Sequence, residues 1–257
     1  MPIDRSTTLA AAGIIAVMGA GIWLGQQPPA TGAGTVEAAS FEDRVRGYLL
    51  ENPEILVEMS TILEDRQAEA NRLRDRELVL ENLAALHEDG FSFVGGNPEG
   101  SITVVEFIDY RCSFCKRVHP EMLELIARND DIRLIRKEFP ILGADSVLAS
   151  QAALAVLETA GSDIYDQYSD ALMTYNGPIT ETVLLRFAAT AGADPDAVLA
   201  MMSDPVINER LVETRQLGQR LGISGTPTFV FEDTMVRGYL PLEDLQAVVD
   251  GLREEAS

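Results

Sequence analysis

Apolar positions along this chain change their period several times, and each change predicts an element. From Leu9 to Leu24 (LAAAGIIAVMGAGIWL) no charge interrupts the run, which as a helix would reach roughly 24 Å. QQPPATGAGT follows, rich in Pro, Gly and Ala, and predicts a linker. From Phe41 to about Glu88 the spacing is helical. Ile55, Met59, Ile62 and Leu63 recur at helical intervals, with Asn52 and Pro53 ahead of them as an N-cap and first helical residue. Leu80, Leu83 and Leu86 resume the stripe after the mixed charges of Glu64 to Glu77. Gly95, Gly96, Asn97, Pro98 and Gly100 predict a turn. ITVVEFI then predicts an apolar strand carrying one carboxylate, Glu106, and IRLIRKEF (132–139) a second strand. A helix from about Cys112 between the two makes a parallel crossover. Asp145 to Leu221 reads as about five helices, broken at Gly161, Gly177 with Pro178, Gly192, and Asp204 with Pro205. TFVFED, a short turn and MVRGY predict a hairpin, and PLEDLQAVVDGL a closing helix.

These elements predict a signal or membrane anchor (1–25), a linker (26–40), an N-terminal helical stalk or oligomerisation segment (41–90), and an α/β domain (91–257) with a helical insert at 141–221. The heptads of the stalk are interrupted, so two arrangements stay open: a helix lying on its own domain, or one that joins copies of the protein. Only Arg5 and the amino terminus place positive charge ahead of the apolar run, and Asp4 partly offsets them. The small-x-Ala pattern ending at Ala38 lies far from the run, which favours an uncleaved tether over a removed signal. Either way the bulk of the chain is expected to be exported and periplasmic. With 41 Asp and Glu against 20 Lys and Arg, the formal charge is -21. Phosphate-bearing partners are repelled overall, so nucleic acid is excluded as an expected partner.

Both cysteines of the chain fall in FIDYRCSFCKRVHP (107–120). In an oxidising compartment two such thiols tend to form a disulfide. A bridge closing so short a loop barely restricts the unfolded chain, so the pair suits exchange chemistry better than stapling. If the helix begins at Cys112, that sulfur meets unpaired amides and the positive end of the helix dipole, which lower its pKa. Cys115 lies one turn further in and is more shielded. Lys116 and Arg117 add positive charge nearby. A second reading uses Cys112, Cys115 and His119 as ligands for zinc or copper(I), and a third makes the stalk and insert a chaperone-like client binder.

CSFCKRVHP resembles the active-site helix of the thioredoxin superfamily, including a proline, Pro120, five residues after the second cysteine. GISGTPTFVF resembles the cis-proline loop of that superfamily, and VRGYLPLEDLQAVVDGL its final strand, glycine and helix. About eighty helical residues separate these halves, as in the DsbA family of exported thiol oxidoreductases, and the resemblance covers about 101 to 254. It implies an α/β thioredoxin fold with an inserted helical subdomain, preceded by an N-terminal helical segment. It implies Cys112 as the exposed nucleophile and Cys115 as the resolving thiol of a redox-active disulfide, with Pro227 cis and Thr226 binding extended client backbone. Glu106 takes the place of a buried acid, a candidate proton shuttle, or else pairs structurally with Arg136 or Lys137. Ser113 and Phe114 between the cysteines are closer to the pairs of disulfide isomerases and of the copper-resistance relative ScsC. The activity implied is formation or rearrangement of disulfides in cysteine-bearing clients, with a membrane or soluble redox partner, no cofactor or metal, and homo-oligomerisation through 41–90.

Overall fold

Seven consecutive buried residues form the strand β2 (Ile102–Ile108), and a strand buried on both faces belongs in the middle of a sheet. In the computed structural model, which describes residues 40–255, β2 pairs in parallel with β3 (Ile132–Glu138) and antiparallel with β4 (Thr228–Phe231). The hairpin partner β5 (Thr234–Arg237) closes one edge and β1 (Phe93–Gly96) the other, in the order β1-β3-β2-β4-β5. The apolar run at 9–24, its linker and the expected tether lie outside the described residues. Among the described residues no helix is long and apolar enough to cross a membrane.

Strand β1 departs from the expected turn. Gly95 and Gly96 pair with Leu134 and Arg133 of β3. A side chain at Gly96, where φ is +64°, would lie 2.6 Å from the Ile132 carbonyl oxygen, so glycine is what allows this edge to form. The helical stretch expected from 41 to about 88 comprises three helices: α1 (Phe41–Glu51), α2 (Glu54–Glu81) and α3 (Leu83–His87). Asn52 closes α1 rather than opening α2, because its backbone N–H and its side-chain Nδ2 both donate to the Tyr48 carbonyl, at 3.0 and 2.9 Å. Two compact units divide the chain between Leu56 and Val57. In the first, Ser40 caps α1 by accepting from the Asp43 N–H, and α1 buries none of its residues.

In the second unit the sheet is covered on both faces. On one side, Ile102, Val104, Ile108 and Leu134 pack on Val118, Met122 and Leu125 of α4 (Ser113–Arg128) and on Leu245 and Val249 of α10 (Leu242–Glu255). The same core takes in the insert, α5 (Ala144–Ala160), α6 (Ser162–Thr174), α7 (Glu181–Ala191) and α8 (Pro195–Met202). With α9 (Pro205–Arg220) these make the five helices expected, the first four ending near their Gly or Pro signals. On the opposite face, Val105, Phe107, Ile135 and Val230 meet Leu217 and Leu221 together with Val79 of α2 and Leu86 of α3. Val79 and Leu86 are fully buried, and burial of such side chains stabilises by about 1.5–3 kcal/mol each. Here α9 approaches so closely that a Cβ at Gly218 would stand 2.5 Å from the Phe139 ring.

Candidate active site

Where β2 ends, three residues bring the chain to Cys112, which is the N-cap of α4. Its Sγ accepts from the Cys115 N–H at 3.5 Å, and its thiol donates to the Thr226 carbonyl at 3.0 Å. The peptide between Thr226 and Pro227 is cis, and the Pro227 carbonyl accepts from the Gly238 N–H at 2.9 Å. Both cysteines are free thiols. They differ in environment. A hydrogen bond from the Cys115 side chain, then the Thr226 side chain and the Cys115 and Phe114 amides, lower the Cys112 pKa to about 5 against the opposing effect of burial. Burial first, then its hydrogen bond to Cys112 and the charge there, push Cys115 far up. The expected exposure of Cys112 needs correction. The sulfur-bearing residue is 7 % exposed and Cys115 0 %, because the N-cap position tucks Cys112 under the Thr226 carbonyl.

The loop before the nucleophile is organised by a residue that sequence reasoning passed over. Asp109 is fully buried. Its Oδ1 accepts from the Arg111 N–H (2.8 Å) and the Ser146 hydroxyl (2.7 Å), and its Oδ2 from the Ile141 and Leu142 N–H groups (2.8 and 3.0 Å). The Asp109 carbonyl accepts from the Cys112 N–H at 3.0 Å. One carboxylate thus ties the Cys112 loop to the β3–α5 connection and to the first turn of α5.

Glu106 pairs with Arg136 on β3, Nε to Oε2 at 3.3 Å, and both side chains are almost completely buried. Arg136 also reaches Asp166 and the Ser169 hydroxyl of α6 at 3.5 and 3.3 Å. Two residues on, Glu138 accepts from the hydroxyls of Tyr110 (2.7 Å), Tyr165 (2.6 Å) and Ser150 (2.7 Å). Burial raises the Glu138 pKa to about 7 despite those donors and Arg136. The network spans β2, β3, α5 and α6, so it keys the insert to the sheet. Lys137 points to the other face, where it meets Asp89 at 2.5 Å and the Ala85 carbonyl at 2.9 Å.

The model of the DSBA-like thioredoxin domain matches residues 103–250, more than half of the chain. The chain belongs to the DSBA-like thioredoxin domain family. A second model, the copper resistance protein ScsC N-terminal domain, matches residues 37–70. BcfH of Salmonella enterica Typhimurium is 30% identical with a TM-score of 0.70, covering 81% of this chain and 93% of that one. A thioredoxin-like oxidoreductase from Silicibacter pomeroyi DSS-3 is 38% identical with a TM-score of 0.63, covering 66% and 97%. The Na(+)/H(+) antiporter NhaA 3 of Salinispora tropica is 26% identical over 156 residues. That match takes in 61% of this chain, and the chain spans about a quarter (24%) of the length of this curated relative.

Within this DSBA-like domain, the structure brings Cys112, Cys115, Thr226 and Pro227 together from two ends of the sequence, and seats Glu106 in the polar network beneath the insert. It does not add His119 to the sulfurs as a third ligand. That side chain is buried rather than on an exposed helix side, and its Nε2 lies 2.8 Å from Asp170 Oδ1. Among the described residues no group of three or more His, Cys, Asp or Glu is placed to hold a metal ion. Asp109 and Glu138 had one signal in the sequence, a carboxylate at the end of an apolar run, which is costly to bury without partners.

Proposed function

We propose that this member of the thiol-disulfide oxidoreductase family is exported and exchanges disulfides with cysteine-bearing client proteins through Cys112 and Cys115. The observation that carries the reading is the asymmetry of the two sulfurs: one caps a helix beside the cis-proline loop with its pKa lowered to about 5, the other is fully buried with its pKa pushed far up. In the oxidising direction a client thiolate attacks Cys112 Sγ of the Cys112–Cys115 disulfide. The Cys112–client bond forms as the Cys112–Cys115 bond breaks, and Cys115 leaves and takes up a proton. A second client thiolate attacks the client sulfur of the mixed disulfide, closing the client disulfide and releasing the Cys112 thiolate. Two electrons pass from client to protein. Because a low Cys112 pKa stabilises the dithiol state, it favours this direction over reduction. Extended client backbone would lie against Thr226 and the cis Pro227, whose loop already touches Cys112 Sγ.

Glu106 is carried forward as a candidate proton acceptor, although its ion pair with Arg136 gives it a structural duty. A Glu106→Gln protein that is destabilised while resolving mixed disulfides at the normal rate would leave it only that duty. Exposed Phe41 and Leu50 on α1 and Leu56, Met59 and Leu63 on α2 support self-association through residues 41–90, and the charge-free run at 9–24 supports export by a signal or tether.

The test begins with Cys112→Ser, which should abolish exchange, and Cys115→Ser, which should accumulate mixed disulfides with clients. Alkylation of Cys112 should show a midpoint near pH 5 and a rate that is flat above about pH 7. In Cys115→Ala that midpoint should rise, since the Cys115 side chain is the first cause of the shift. A Cys112 midpoint near that of free cysteine, about 8.5, would overturn the reading. A reduction potential near that of thioredoxin, about -270 mV, would overturn the oxidising direction.

A further inference from the structure

The surface beside Cys112 is basic on a protein that is strongly acidic. Between Asp109 and Pro120 the chain carries Arg111, Lys116 and Arg117, and its one carboxylate there, Asp109, is buried and fully engaged. Lys116 is also engaged. Its Nζ donates to the Leu172 carbonyl at 3.4 Å and to the Tyr175 carbonyl, at the C-terminal end of α6, where a cation is matched by the helix dipole. Arg111 and Arg117 are different. Both are exposed, and among the described residues neither forms an ion pair with a carboxylate. The contact of Arg111 is a long one, Nη1 to the Gly177 carbonyl at 3.4 Å. The guanidinium of Arg117 lies 4.4 Å over the Tyr239 ring, an arrangement that fixes its position without cancelling its charge.

The two cations contact different parts of the fold. Arg111 faces the loop between α6 and α7, on the insert side. Arg117 faces Tyr239, which directly follows Gly238, the residue bonded to the Pro227 carbonyl. The nearby carboxylates have other partners: Glu121 accepts from the Tyr239 hydroxyl at 2.6 Å, and Asp170 faces His119. A client bonded to Cys112 and lying along the cis-proline loop would meet Arg111, one residue before the sulfur, the exposed Phe114 two residues after it, and Arg117 over the ring that follows Gly238.

We propose that Arg111 and Arg117 select client segments bearing Asp or Glu within a few residues of the reactive cysteine, on either side of it. The inference rests on the exchange activity proposed above and names the substrate class. The overall charge of -21 does not defeat it. At physiological salt, charges interact over about 8 Å, so the rim next to the sulfur outweighs acids spread over the rest of the surface. An exposed ion pair changes affinity by about 1.5- to 5-fold, and a client that exchanges Lys for Glu turns repulsion into attraction.

The experiment uses the full chain in its disulfide form and three single-cysteine peptides that differ only in flanking residues: Glu, Gln or Lys on both sides. Loss of the Cys112–Cys115 disulfide is followed, two peptide thiols being oxidised to one peptide disulfide for each protein disulfide reduced. Flanking charge changes the reactivity of the peptide thiol itself, so each rate is divided by that of the same peptide against a small uncharged disulfide. The Glu peptide should then exceed the Lys peptide by up to about fivefold at physiological ionic strength, where the overall charge is screened, and lose most of that advantage at about 1 M salt. Arg111→Glu with Arg117→Glu should invert the order. Because the comparison is a ratio, any change these substitutions make in Cys112 reactivity cancels. Equal normalised rates for all three peptides would overturn the selectivity and leave the exchange activity standing, whereas no reaction with any peptide would overturn the activity itself. A Glu preference that survives both charge reversals would remove the assignment to Arg111 and Arg117.

Discussion

Arg136 and Lys137 are neighbours on β3, yet each is buried on a different face of the sheet and holds a different helical addition in place. Arg136 meets Glu106 from β2 and Asp166 and Ser169 from α6, on the side of the insert. Lys137 meets Asp89 and the Ala85 carbonyl, just beyond and within α3. Their electrostatics diverge. Burial opposes the charge of both, but Glu106, with Tyr165, Tyr110 and Asp166, raises the Arg136 pKa, whereas Asp89 and Glu213 do not offset the burial of Lys137, whose pKa falls. The chemistry of the two side chains fits this difference, since a guanidinium stays charged and feeds several acceptors while an ammonium can give up its proton. One face is held by a permanent charge in a network, the other by a pair that can be neutralised.

The comparison predicts unequal damage. Arg136→Met should be the most harmful, costing about 3–5 kcal/mol in urea unfolding, because it removes at once the partner of the buried Glu106 and the donor that reaches Asp166 and the Ser169 hydroxyl. A cost below that of the opposite face would break the proposed ranking. Asp89→Ala should cost less, about 2–3 kcal/mol, because Lys137 can relieve its isolation by losing a proton, although the Asp89 bonds to the Phe91 and Ser92 amides are lost as well. Adding Lys137→Met should recover part of that loss, and the Cys112 alkylation midpoint should stay near pH 5 in both proteins, since this face lies away from the sulfurs. Glu138→Gln should be mildest, about 1 kcal/mol at pH 5. Its sign with pH is opposite to that of an ordinary ion-paired carboxylate. The Glu138 pKa is raised from 4.5 to about 7, so the stability tied to its protonated form is complete below about pH 4.5 and is lost as pH climbs through 7. Glutamine does not titrate, so the deficit of the variant should shrink between pH 5 and pH 8, and a deficit that grows instead would place the raised pKa in error.

How much of this was legible in the amino-acid order varied with the range of the interaction. The insert helices end where Gly161, Gly192 and Asp204 with Pro205 say they should, because breakers act within a few residues. The sulfur pair and the TP dipeptide announced the site through their spacing and chemistry, and the N-cap position of Cys112 follows from the end of an apolar strand. Strand β1 was hidden because Gly95 and Gly96 carry a turn signal locally, and only the proximity of β3 makes them an edge. Val79 and Leu86 continue an amphipathic stripe, but nothing in that stripe names the sheet face it covers. Most partners of Arg136, Glu138 and Asp109 lie about thirty residues away, where a charge within an apolar run reveals its cost and not its recipient.

Asp109 sets a condition on redesign. Because its four acceptor contacts are divided between the strand-to-nucleophile loop and residues 141, 142 and 146, a foreign helical cap grafted onto this scaffold must supply two free amides and a hydroxyl at those points. A graft lacking them would leave a buried carboxyl group without partners three residues from the reactive sulfur, and would be expected to fold poorly however well its apolar surface fitted.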